Sequence, residues 1–91
     1  MDDKVVRITL NAQGLPVPDQ DPVQVKKDNQ KVRWTADFDF RITVDGYGDM
    51  QYSNGGGSYN CKTGYFANER QYKYTISANG VDNDPTIDVK P

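Results

Sequence analysis

Histidine is absent from the 91-residue chain, and cysteine occurs once, at Cys61. The first absence removes the usual neutral-pH general base and the imidazoles that hold zinc or copper. The second excludes an internal disulfide. Glutamate is nearly missing too: of thirteen acidic residues only Glu69 is Glu. Asp favours turns where Glu favours helices, so the bias points to strands and loops. There is no basic run, the eleven Lys and Arg being scattered among the acids for a net charge of −2, which excludes a nucleic-acid footprint. No apolar stretch approaches membrane-spanning length, and no charged segment leads into an apolar run as in a secretory leader. A soluble cytoplasmic protein without membrane partner, metal or cofactor is the expectation.

What is present is aromatic and β-branched. Apolar residues make up only 35% of the chain, but six Tyr, three Phe and one Trp supply large buried area per residue. A core of that kind suits one small domain over residues 1–91, with no room for a catalytic cavity between domains. Lys4 to Asn11 alternates Val6, Ile8 and Leu10 with polar residues, as a half-buried strand does. Gln13 to Pro22 carries Gly14, Pro16, Pro18 and Pro22 and reads as loop; Val23 and Val25 mark a short edge strand. Val32, Trp34 and Ala36 define the next strand. Phe38, Phe40, Ile42 and Val44 then give the cleanest alternation, and its mid-chain place predicts a central strand. Asp45 to Gly48 turns the chain, Asp49 to Ser53 and Tyr59 to Lys62 are weaker strands, and Gly64 to Arg70 is loop with room for a helical turn. Seven or eight strands with frequent turn signals predict an all-β fold, a single antiparallel β-sandwich of cupredoxin or immunoglobulin type.

The tail is the most informative stretch. Tyr72, Tyr74, Ile76 and Ala78 share one face, Asn79-Gly80 is a strong two-residue turn, and Ile87 and Val89 mark a closing strand from Thr86 to Val89. Between turn and closing strand lies Asp84-Pro85. Proline nitrogen is a tertiary amide, and the Asp side-chain oxygen can reach its own carbonyl carbon to form a five-membered anhydride. Such intramolecular attack draws on effective molarities of roughly 10⁵–10⁸ M when geometry is right. A fold assists by twisting the bond, by placing donors at the oxyanion, or by supplying a protonated neighbouring carboxyl, for which Asp82 is the candidate. A nearby lysine amine would capture the anhydride as an isopeptide crosslink. A strand rise of about 3.3 Å per residue separates Lys73 from Asp84 in a simple hairpin, so Lys62 is the expected partner. Against reactivity, Asp-Pro is a common turn-to-strand junction, and Asp21-Pro22 repeats it in this chain.

Other clusters read more simply. Gly55-Gly56-Gly57-Ser58 lacks the lysine and following helix of a phosphate-binding loop and reads as a hairpin. Asp45-Gly46-Tyr47-Gly48-Asp49 lacks the ligand alternation and terminal Glu of a calcium loop. Asp37 and Asp39 belong to a solvated or salt-bridged face, and Cys61 to the core.

Two resemblances follow. Val23-x-Val25-x-Lys27-Asp28, Val32-x-Trp34, Phe38-x-Phe40 and Cys61 before Gly64-x-Phe66 resemble the layout of cupredoxin-like sandwiches, without the two imidazoles that blue copper needs. The run Tyr72-x-Tyr74-Thr75-Ile76, Asn79-Gly80-Val81, Asp84-Pro85-Thr86-Ile87-x-Val89 resembles the C-terminal block of the bacterial DP-EP family. That resemblance implies a small β-sandwich that cleaves itself at an Asp-Pro bond, with Asp84 reacting and Pro85 becoming a new amino terminus. The reading is then a self-cleaving sandwich whose last strand stays docked or exchanges between molecules. The alternative is a protein-interaction module, not an enzyme, that binds a protein partner or itself through an edge strand or the loops at Tyr47, Tyr52 and Tyr59.

Overall fold

The structure, a computed structural model, describes residues 3–48, 50–55 and 57–91. Their elements are all strands: β1 (Lys4–Leu10), β2 (Pro16–Pro18), β3 (Val23–Lys26), β4 (Val32–Ala36), β5 (Arg41–Val44), β6 (Met50–Gly55), β7 (Ser58–Thr63), β8 (Gln71–Ala78), β9 (Val81–Asn83) and β10 (Thr86–Lys90). One sheet runs β2-β1-β4-β7-β6; the other runs β3-β10-β8-β5, with β9 also paired to β8. The all-β expectation holds. No helix among the described residues is long and apolar enough to cross a membrane.

Each sheet turns an apolar face towards a shared core. Val6, Ile8, Val32, Trp34, Ala36 and Cys61 come from the first sheet; Val23, Val25, Phe40, Ile42, Val44, Tyr72, Tyr74, Ile76, Ala78, Ile87 and Val89 come from around the second. Alternation explains the set, since successive strand residues point to opposite faces. Trp34 and Tyr74 meet across the core with ring centroids 5.1 Å apart, and Tyr47, Phe66 and Tyr72 form a second aromatic group.

Four expectations are corrected. The strands number ten, because Pro16–Pro18 and Val81–Asn83 are short strands hidden in what reads as loop. Two prolines in three residues are tolerated in β2 because it is an edge, with a side that needs no donor. The sheets are mixed: β1 pairs with β4 and β3 with β10 in parallel, so the arrangement is not purely antiparallel. The Phe38 segment is not central. Its strand, β5, begins only at Arg41 and lies at the edge of the second sheet. The central places there belong to β8 and β10. Gly64 to Arg70 contains no helical turn.

Candidate functional site

The Asn79-Gly80 turn forms as its residue types require, with φ of 53° and 76° at its two positions. From it β8 and the chain opposite keep one register. Ala78 faces Val81, Ser77 faces Asp82 and Ile76 faces Asn83; further on, Lys73 faces Thr86 and Tyr72 faces Ile87. This continuity sets Thr75 opposite Asp84 and Tyr74 opposite Pro85. The Tyr74 N–H donates to the Pro85 carbonyl at 3.0 Å. In an antiparallel pair of that type the reciprocal bond would come from the N–H of residue 85, and proline has none. The Asp84–Pro85 link therefore lies in the middle of a hairpin, at a rung that is half made.

Around the link the polar groups are ordered. The Thr75 hydroxyl donates to Asp84 Oδ1 at 2.7 Å. Asp84 is exposed while Pro85 is buried. Asp84, Thr75, Lys73, Thr43 and Asp45 line one open depression of about 390 Å³, many times the volume of a water molecule. On the other side, Asp21 Oδ1 accepts the Thr86 N–H at 3.0 Å. Ladder geometry turns the Asp84 carbonyl to that same side, away from β8. Neither Asp84 nor Pro85 has positive φ, and the one cis bond among the described residues is Asp21–Pro22.

The sequence-derived site residues separate into two groups. Asp82 shares a face with Asp84, two residues back on β9 opposite Ser77. Two strand residues span about 7 Å, longer than a direct hydrogen bond. Lys62 lies elsewhere. It is on β7 in the first sheet, between Arg33 and Gln51, and borders a different depression with Tyr52 and Cys61. Lys73 is the lysine that the fold brings to Asp84. Distance along β8 is not the relevant measure, because both arms of the hairpin recede from the turn together. Residues diagonal across a rung are about 7–8 Å apart at the backbone, within reach of a long side chain. Sequence reasoning missed Thr75 and Asp21 and set Lys73 aside. Counting back from a two-residue turn finds Thr75 and Lys73; nothing local points to Asp21.

The remaining candidates have structural roles. Cys61 is fully buried, and burial pushes its thiol up to about 11. Asp37 forms an exposed ion pair with Arg7 at 2.7 Å. Tyr47 and Tyr59 pack against the core. Tyr52 crosses from β6 to the other sheet, its hydroxyl accepting the Ile42 N–H at 2.9 Å and donating to the Ile42 carbonyl at 3.0 Å. The tyrosine with the largest exposure is Tyr65, under the Lys31 ammonium. Asp49 and Gly56, parts of the acidic turn and the glycine loop, lie outside the described residues.

No protein-family model matches the chain, and a search of curated proteins finds no match.

Proposed function

We propose that the chain is a small β-sandwich of the DP-EP type that severs its own Asp84–Pro85 bond and keeps the last strand in place. What supports the reading is the half-made rung: a carboxylate tethered beside the link, a proline that leaves one ladder bond unmade, and a following strand held on both sides.

In the reaction Asp84 Oδ2, the oxygen not engaged by Thr75, attacks the Asp84 carbonyl carbon. The carbon–nitrogen bond to Pro85 breaks and the proline nitrogen takes a proton, with Asp82 the acid that supplies it through water. Water from the open depression hydrolyses the cyclic anhydride, so the balance is one water added per bond cut. Where Lys73 takes the anhydride first, the fragment 1–84 is lighter by one water than its hydrolysed form. Retention follows from burial. Ile87 and Val89 are 0% and 3% exposed, and each such side chain contributes about 1.5–3 kcal/mol. Pairing to β3 and β8 adds ladder bonds on both flanks.

Purified protein incubated at 37 °C and followed by denaturing mass spectrometry tests this. Fragments 1–84 and 85–91 are expected from the natural sequence and not from Asp84→Ala. Fragments that also accumulate in Asp84→Ala, or an intact chain in both, refute it.

A further inference from the structure

The open rims of the two sheets are treated unequally. β2 is closed by Pro16 and Pro18, and the Pro16 carbonyl accepts the Asn83 side-chain N–H at 3.0 Å. In β3 the Lys26 N–H is taken by the Gln30 side-chain oxygen at 2.9 Å, and the strand ends at Lys26 with Lys27 following it. In β5 both outward groups of Ile42 are taken by the Tyr52 hydroxyl, and the Val44 carbonyl accepts the Tyr47 N–H at 3.1 Å. Prolines, lysines and capping side chains are how sheet edges are kept from pairing with other chains.

β6 is the least protected of the four rims: the Met50 N–H is taken by the Gly48 carbonyl at 3.1 Å, and the strand from Gln51 on carries no proline, lysine or capping side chain among the described residues. It is the outer strand of the first sheet, six residues long, reading Met50-Gln51-Tyr52-Ser53-Asn54-Gly55 without charge or proline. Gln51, Tyr52, Ser53 and Asn54 are all exposed. Among the described residues no side chain hydrogen-bonds its backbone.

We infer that β6 is a pairing edge and that its partner is β6 of a second copy, antiparallel about a two-fold axis. Facing residues across a strand pair lie on one side of the sheet, so the axis must pass through a residue. Centring it on Tyr52 sets Gln51 opposite Ser53 and Met50 opposite Asn54 of the second copy; centring it on Ser53 would spend a rung on Gly55, a poor strand former. Within β6 the chosen register pairs an amide with a hydroxyl and sets no charged residue opposite another, the nearest charge being the Arg41 guanidinium 5.3 Å from the Tyr52 ring centre. Two five-stranded sheets then become one of ten strands. The contact is isologous and closes at two copies. It is independent of the reaction at Asp84, because β6 and β10 lie in different sheets.

Light scattering coupled to size exclusion, run over a concentration series, reads the outcome. The expected result is a particle approaching twice the chain mass as concentration rises, with amide exchange in β6 slowing in parallel. Ser53→Lys leaves the fold intact, being on an exposed surface, and is expected to weaken dimerisation at least tenfold. Gln51→Lys serves as the second variant. A particle that stays at one chain mass throughout overturns the inference. So does a dimer that both lysine variants leave unchanged.

Discussion

Tyr52 and Tyr74 carry opposite expectations for the loss of a single hydroxyl. The Tyr52 hydroxyl makes two hydrogen bonds to Ile42 and ties the sheet edges together. The Tyr74 hydroxyl is buried with Trp34 Nε1 as its polar neighbour, and among the described residues neither atom reaches full hydrogen-bond geometry with any partner. A buried polar group without a partner costs about 1–3 kcal/mol, whereas an average hydrogen bond contributes about 1 kcal/mol net. Tyr52→Phe is therefore expected to destabilise by about 1–2 kcal/mol, and Tyr74→Phe to be neutral or stabilising, both measured by urea unfolding. Cys61 gives a pH test. Burial raises its thiol from 9.0 to about 11, and burial likewise raises Tyr52 and Tyr74. Above about pH 9 the unfolded chain releases protons that the folded chain retains, so stability falls as pH rises between 9 and 11. Cys61 alone accounts for a fall on the order of 2 kcal/mol across that window. In the native protein at pH 8 the thiol is expected to be inert to a chromogenic disulfide and to react fully in denaturant. For the proposed cleavage, Thr75→Val removes the tether on Asp84 and is expected to slow appearance of the 1–84 fragment about tenfold, in keeping with the sensitivity of intramolecular attack to orientation.

At the scale of elements, the hairpin β8–β9–β10 positions everything proposed at the link, and its turn is the exposed weak point. Gly80 has φ of 76°, where a β-branched residue is strained. Gly80→Val is expected to lower stability by about 1–2 kcal/mol in thermal unfolding, with no atom of the Asp84 environment removed. The hairpin is also where the sequence was most legible. Alternation of Tyr72, Tyr74, Ile76 and Ala78 and the Asn79-Gly80 pair define strand, face and turn from local chemistry alone. Once the turn is known to hold two residues, the register opposite Asp84 follows by counting. Other elements were less accessible for physical reasons. β2 and β9 are three residues each, below the length at which alternation registers, and β2 is masked by its prolines. Alternation reports which face of a strand is buried and not how many neighbours it has, so β5 read as central although it is an edge. Parallel neighbours such as β1 with β4 share no turn, and local signals are silent about them. Asp21 reaches Thr86 across 65 positions of chain for the same reason.

For the whole molecule the question is whether a chain cut near its end remains one body. β10 is interior to the second sheet, parallel to β3 and antiparallel to β8, and its Ile87 and Val89 belong to the common core. A cut before Thr86 removes a covalent tether while leaving both neighbours and the buried side chains. The direct measurement is mass spectrometry of one aged sample sprayed twice, first from native buffer and then from acid and organic solvent. Self-cleavage with retention predicts a native mass equal to the full chain plus one water, resolving on denaturation into 1–84 and 85–91. An unchanged full-length mass in both sprays, after prolonged incubation, would contradict it.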